Sequence, residues 1–326
     1  MTLSRRHLLH LTIGGTAVAA ASRLARAETY PVRPVAMTVP YAAGGNTDIM
    51  ARMAADWLTQ KLGQPFVVEN RAGAGGAIAA QYVASAAPDG YTLLFGTTAQ
   101  TSIVPFIQKV RYDPLKDFAA VGVYGNSFSI LAITAAVPAA DLKSFVDYAK
   151  ANPGKVNYAS GGVGTVGHLA GASFAARAGL DMVHVPYKGG SQVIAGLLAG
   201  EVQMYFGNSS EILPYYGTDK LKILAVGTPA RVAQLPDVPA VAEVYPGFSL
   251  PAWNGVLAPA GTPKDIVSVL SRVIHAAAQD APTAKRLREL GIEPGTATAG
   301  ELADIIRGEQ TLYADAVKAA GITQQP

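Results

Sequence analysis

Short β-rich runs alternate with helical stretches along nearly the whole chain, and this alternation limits the fold more than any other feature. Residues 35–41 (VAMTVPY) predict a strand, and residues 48–62 carry Ile49, Met53, Trp57 and Leu58 at helical spacing. Strands are expected at 66–69 and 91–96, with a helix at 74–86 between them. The pattern resumes with a strand at 156–159, a helix at 166–177 and a strand at 182–186. A helix at 192–199 and strands at 202–206 and 222–226 continue it. Strand–helix–strand order implies a mostly parallel sheet with right-handed crossovers.

The order breaks twice. At residues 121–133 two apolar runs flank a turn expected at Gly125-Asn126, and at 246–259 prolines and glycines surround Trp253. Beyond Pro263 the tail is helical, with helices expected at 265–278, 281–290 and 299–319. Two such breaks are where a chain crosses between domains. The expected fold is α/β with two lobes, each a mostly parallel sheet flanked by helices. Residues 28–125 and 250–326 make the first lobe and 126–249 the second.

Residues 1–27 read as an export signal of twin-arginine type. Arg5 and Arg6 form the arginine pair, a weakly apolar stretch runs from Leu8 to Ala21, and Ala25-Arg26-Ala27 is a small-x-small cleavage site. Cleavage is expected after Ala27, with the periplasm as destination. The segment holds four arginines and no acid, so the formal charge falls from +3 for the whole chain to −1 for residues 28–326. No basic surface for nucleic acid is expected. The absence of cysteine excludes disulfides, thiolate metal sites and a cysteine nucleophile.

Three glycine-rich turns lie between a strand and a helix: PYAAGGNTD (Pro40 to Asp48), SGGVGTVGH (Ser160 to His168) and PYKGG (Pro186 to Gly190). In open α/β sheets, ligands sit outside the carboxyl ends of the strands, where such turns lie. A helix N-terminus offers unpaired N–H groups and partial positive charge, so it binds anions without Arg or Lys. Asp48 and Thr165 are candidate helix caps. Ligand-binding candidates are Tyr41, Gly44, Gly45, Asn46 and Asp48 in the first turn; Ser160, Gly164, Thr165 and His168 in the second; and Tyr187 and Lys188 in the third. Thr97 and Thr98 end a strand facing the same crevice.

Gly162, Gly164 and Gly167 also fit G-x-G-x-x-G, the pattern of a dinucleotide-binding turn. That function needs a carboxylate at the end of the next strand, and Pro186-Tyr187-Lys188 supplies none; Lys188 could instead meet a 2′-phosphate. An exported NADP-dependent oxidoreductase is therefore the alternative reading. No G-x-S-x-G or H-E-x-x-H occurs, and His184 and His275 read as packing or surface residues. No catalytic residue, cofactor or metal is expected.

At PYAAGGNTDIMAR, VVENRAGAGGAIAAQYVASAAPDGYTLLFG, VPYKGGSQVIAGLLAGEVQMYFGN and WNGVLAPAGTP the chain resembles the substrate-binding proteins of tripartite tricarboxylate transporters, the Bug-type periplasmic receptors. The resemblance runs from about Pro31 to Gly321. It includes Asn70, Arg71, Gly73, Gly75 and Gly76 of the family's Asn-Arg-x-Gly-x-Gly-Gly segment and Pro88 to Tyr91 of its Pro-Asp-Gly-Tyr. It implies the two-lobed periplasmic-binding-protein architecture and a receptor, not an enzyme. A small organic dicarboxylate or aromatic carboxylate would lie between the lobes, held by backbone amides and short hydroxyl side chains, and pass to a membrane permease. A sensor kinase is a further possible partner. The resemblance maps the first lobe's turn to Tyr41 through Asp48 and the second's to Ser160 through His168, with Gly164 and Thr165 foremost.

Some of these matches read as packing. Arg71 is expected to pair locally, and Trp253 to pack the hinge or wall the pocket, the hinge being favoured. In YFGNSSE, Asn208 stands where many relatives carry an aspartate; its neutral amide can donate to a second carboxylate, which favours a dicarboxylate or aromatic carboxylate over an amino acid. A monomer is expected, since a receptor must hinge freely.

Overall fold

The computed structural model describes residues 30–324, so the expected export signal and its cleavage site lie outside the described residues. The chain first lays down β1 (Val35–Val39), α1 (Asn46–Leu62), β2 (Phe66–Asn70), α2 (Ala77–Ala84), β3 (Thr92–Thr97), the short α3 (Val104–Ile107) and β4 (Phe118–Ser127). It then passes into a second unit with β5 (Ser129–Thr134), α4 (Leu142–Ala151), β6 (Asn157–Ser160), α5 (Val166–Ala178) and β7 (Val183–Pro186). That unit continues through α6 (Gly190–Ala199), β8 (Met204–Asn208), α7 (Ser209–Ile212) and β9 (Leu221–Val226). The return brings β10 (Ala252–Pro259), α8 (Lys264–Ala277), α9 (Ala281–Glu289), β11 (Ile292–Pro294) and α10 (Ala299–Ala319).

Two sheets result. The first has the order β11-β4-β10-β3-β1-β2 and the second β7-β6-β8-β5-β9, so the chain forms two α/β lobes as expected. Their pairing is mixed rather than mostly parallel. The β1–β2, β1–β3, β6–β7 and β6–β8 pairs are parallel, each a strand–helix–strand unit or its neighbour. β10 runs antiparallel to β3 and β4, and β5 antiparallel to β8 and β9. Strands β5 and β10 arrive from the other lobe, with no crossover helix to reverse them, and antiparallel pairing needs none.

The expected turn at Gly125-Asn126 is not a turn. Both residues lie in β4, paired to Asn254 and Trp253 on one side and to Pro294 and Glu293 on the other. The chain leaves the first sheet after Ser127 and enters the second at Ser129, with Phe128 alone between them. The helix expected from residue 74 begins at Ala77, after a 3₁₀ turn at Ala74–Gly76 in which Ala74, Gly75 and Gly76 all have positive φ. Helix α4, unread from the sequence, is capped by Asp141, whose carboxylate accepts from the Ser144 amide at 2.7 Å.

Each sheet buries apolar side chains on both faces. In the first lobe Met37, Met50, Leu58, Phe95 and Tyr124 fill the face under α1 and α8, while Leu94, Leu257 and Leu302 lie on the other. In the second lobe Phe145, Phe174, Phe206 and Phe248 pack on one face and Val193, Leu197 and Tyr205 on the other. Helix α10 ties the lobes together. Its Leu302 and Ile306 pack in the first lobe, while Tyr313 and Val317 meet Leu169 of α5. No helix among the described residues is long and apolar enough to cross a membrane.

Candidate functional site

Strands β1, β6, β7 and β8 all release their chains at one cleft between the sheets, and the turns that follow aim three helices at it. Gly45, Asn46 and Thr47 at the start of α1, Thr165, Val166 and Gly167 at the start of α5, and Gly189 and Gly190 at the start of α6 line a cavity of about 60 Å³. Tyr41, Thr97, Trp253 and Asn254 complete its first-lobe wall, and Tyr205, Phe206, Asn208 and Glu211 its second. First-turn amides have no intrahelical acceptor, and each helix end carries roughly half a positive charge. Among the lining residues there is no Lys, Arg or His; Glu211 is the one charged side chain.

The lobes touch across this cleft. The Ala42 amide donates to the Lys188 carbonyl at 2.9 Å, and Ser191 Oγ donates to the Ala43 carbonyl at 3.0 Å. The Asn46 amide donates to Glu211 Oε1 at 3.0 Å, while Ser210 Oγ donates to Asn46 Oδ1 at 2.7 Å. Thus Asn46, at the tip of α1, is held from the second lobe through both backbone and side chain.

Of the residues singled out in the sequence, Tyr41, Gly45, Asn46, Thr97, Thr165 and Asn208 face the cleft. Tyr41 Oη accepts from Gln100 Nε2 at 2.9 Å, and burial raises its pKa, so the phenol stays neutral. Thr165 is the N-cap of α5; its hydroxyl accepts from the His168 amide at 3.3 Å and donates to the Gly162 carbonyl at 2.8 Å.

The other candidates shape the turns from behind. Gly44 donates its amide to Asp48, which also receives Arg52 and Asn70, so this carboxylate organises the first turn from within. Burial opposes its charge, but the hydrogen bonds from Arg52, Gly44 and Asn70 outweigh that and hold its pKa below the usual range. It sits in the first turn of α1, whose N-cap is Gly45, so Asp48 is not the cap expected. Thr98 is fully buried, its hydroxyl accepting from the Trp253 amide at 3.2 Å. Ser160 turns inward, donating to the Gly162 carbonyl and contacting His184 Nε2 at 2.7 Å. His168 stacks on His184 with ring centroids 4.0 Å apart, and its Nδ1 accepts from the Gly164 amide at 3.2 Å. Burial lowers the pKa of His168 to about 4, and burial together with His168 lowers that of His184 to about 3. Both imidazoles are neutral supports beneath the turn.

Tyr187 and Lys188 line a separate crevice of about 270 Å³ between the lobes, with Gly75 and Val163. Arg71 pairs with Glu69 at 3.3 Å and stacks on Tyr82, away from the cleft. Trp253 does more than pack the hinge. Its Nε1 donates to Glu309 at 3.1 Å, while the residue also walls the cleft.

Sequence reasoning missed Thr47, Tyr205, Glu211 and Asn254. Thr47 donates to Asn254 Oδ1 at 3.1 Å, and Tyr205 donates to Glu211 Oε2 at 2.9 Å. Asn208-x-x-Glu211 has capping-box spacing, a signal for a helix start though not for a cleft. The Asn208 amide side chain is already used at both ends, donating to Glu211 at 3.3 Å and accepting from Ser127 at 3.3 Å.

The dinucleotide reading fails on the same turn that suggested it. The Gly162 amide donates to Ser160 Oγ, Gly164 to His168 Nδ1 and Thr165 to the Gly162 carbonyl, so the first two glycine amides of the pattern and the cap amide are used within the loop. The glycines serve close approach instead. A Cβ on Gly164 would collide with Val104 and Ile107 of the first lobe, and one on Gly167 with the Phe206 carbonyl.

Residues 50–322 match the model of the tripartite tricarboxylate transporter family receptor. Protein BugT of Bordetella pertussis is 35% identical over 298 residues, covering 90% of this chain and 91% of its own. Among solved structures, R. palustris Rpa4515 with adipate superposes with a TM-score of 0.88 at 32% identity, covering 91% of this chain and all of that one. The periplasmic binding protein BugD superposes at 0.87 and 33% identity, with the same coverage. These proteins are solute-binding proteins rather than enzymes, and the oxidoreductase alternative finds no support among them. The chain is a substrate-binding receptor and belongs to the tripartite tricarboxylate transporter receptor family.

Proposed function

We propose that this protein captures a small organic acid between its lobes, in the periplasm, and presents it to the membrane permease of a tripartite transporter. One observation carries the reading: three helix N-termini, from both lobes, converge on one cleft between the lobes whose lining, among the described residues, includes no cationic side chain. Such a site suits a carboxylate, because the amides supply donors and the helix ends supply positive potential. In a cleft cut off from water these donors act at low dielectric and gain strength. A ligand that bridges the lobes favours the closed form by its differential affinity, and a permease can read that state. The adipate bound by Rpa4515 is consistent with this class of ligand.

Thermal unfolding against a panel of aliphatic and aromatic mono-, di- and tricarboxylates, amino acids, NAD and NADP tests the proposal. A ligand at 100 times its Kd stabilises the fold by about 2.7 kcal/mol, which shifts Tm visibly. Stabilisation by one class of organic acid, with none from the nucleotides, is expected. Stabilisation by no carboxylate would sink the proposal.

A further inference from the structure

We infer that Glu211 selects the charge of the acid bound: one carboxylate together with a hydrogen-bond donor, such as an amide, ammonium or hydroxyl, in preference to two carboxylates. The inference rests on the receptor reading above and narrows it.

Glu211 is buried in the second lobe, on α7, and its carboxylate stands at the corner where α1 and α6 begin. Oε1 accepts from the Asn46 amide of the opposite lobe at 3.0 Å. Oε2 accepts from Tyr205 Oη at 2.9 Å, the Asn208 amide at 3.2 Å and Asn208 Nδ2 at 3.3 Å. The α6 end meets the same carboxylate through Gly190, where any Cβ would overlap it, and a Cβ on Gly45 would stand 3.4 Å from Oε1. The protein has thus placed a carboxylate of its own against two of the three helix ends.

The charge balance follows. Three helix N-termini contribute roughly +0.5 each, about +1.5 in all. Glu211 offsets 1 of that, and no lining cation restores it. What remains balances part of one ligand carboxylate and none of a second. A second carboxylate would also face Glu211, and once the lobes close on the ligand and exclude water, like charges there repel strongly. A donor meets the opposite situation. Each carboxylate oxygen has about two lone-pair directions; Oε2 is filled by its three donors, while Oε1 engages one, so Oε1 can accept one more. The neutral Asn208, read from the sequence as a partner for a second carboxylate, is committed to holding Glu211 in place.

Calorimetric titration of the purified protein with matched pairs tests this: succinate against succinamate, adipate against adipamate, and terephthalate against its monoamide. Each pair keeps shape and exchanges one carboxylate for a donor. The monoamide is expected to bind at least tenfold more tightly than its dicarboxylate. Glu211→Gln, which keeps the side-chain length, is expected to shrink that ratio at least tenfold. A dicarboxylate that binds the unmodified protein more tightly than its monoamide overturns the inference while leaving the receptor reading intact, and this arm does not depend on the variant folding. An unchanged ratio in a folded Glu211→Gln protein, checked by circular dichroism, also overturns it. Absence of binding by every acid in the pairs and in the wider panel above removes the receptor reading itself.

Discussion

Replacing Gly75 by alanine is expected to weaken ligand binding by roughly 5- to 140-fold, because it blocks closure of the lobes without touching the cleft. Gly75 belongs to the first lobe and has φ +63°, and a Cβ there would lie 2.0 Å from the carbonyl oxygen of Val163, in the second lobe's glycine turn. Real Cβ atoms essentially never approach a heavy atom within 3.0 Å, so the lobes must part at this point by about an ångström or the backbone must strain. Overpacking of this kind costs about 1–3 kcal/mol, and each 1.4 kcal/mol is about tenfold in Kd. The left-handed backbone adds about 1–2 kcal/mol for any residue with a Cβ. That second cost falls equally on open and closed forms, so it lowers Tm and cancels from affinity. Gly63→Ala provides the control. Gly63 has φ +76° and nothing within 4 Å of its Cβ position, so alanine there should lower stability by a similar amount and leave Kd unchanged. Calorimetry with the tightest-binding acid, alongside denaturant unfolding of both variants, separates the two effects. Unchanged affinity in Gly75→Ala would refute the idea that the contact between Gly75 and Val163 belongs to the ligand-bound state.

Two buried titrating groups make further predictions, with opposite signs. Burial raises the pKa of Glu309 to about 7, despite hydrogen bonds from Trp253 Nε1 and Ser102, so the folded state holds a proton that the unfolded chain releases near 4.5. Its contribution to stability is present below pH 4.5 and is lost as pH rises through 7. Glu309→Gln should therefore be more stable than the parent at pH 8, by about 3 kcal/mol at most, in urea denaturation; equal stability would refute this. For His168 and His184 the folded pKa values lie below the unfolded value near 6.5, so their contribution is complete above pH 6.5 and is lost as pH falls toward 4 and 3. Unfolding should take up as many as two protons in that window, a slope of up to about 2.7 kcal/mol per pH unit, and His184→Gln should remove about half of it. A slope unaltered by that variant would count against the paired neutral imidazoles.

Much of the architecture was legible before any coordinates. Alternation between the two-residue period of a strand and the 3.6-residue period of a helix located β1, α1, β3, α5 and α10 to within a few residues. Thr165 declared itself as a cap by residue type and place. Gly125-Asn126 misled because its turn propensity is a local preference of a fraction of the energy of two strand pairings. Its partners Trp253, Asn254, Glu293 and Pro294 lie well over 100 residues along the chain. The candidate residues divided for a related reason. A turn's sequence shows that it lies near the strand ends, but not which side chains turn toward the ligand. By sequence, Ser160 and His168 are therefore candidates alongside the favoured Thr165, although they point into the lobe.

Local chemistry by itself determined most of the elements, their order, the glycine turns and the family likeness, because propensity, periodicity and motif spacing act between residues close along the chain. Tertiary structure alone decided that three helix ends share one cleft, that the Gly162 and Gly164 amides are spent within their own loop, and that Glu211 stands among the donors. Glu211 meets the Asn46 amide across 165 residues of sequence, and Gly75 meets Val163 across the gap between lobes. Such contacts follow from how two separately folded sheets dock. That docking is set by shape and burial summed over both lobes, and no stretch of sequence carries it alone.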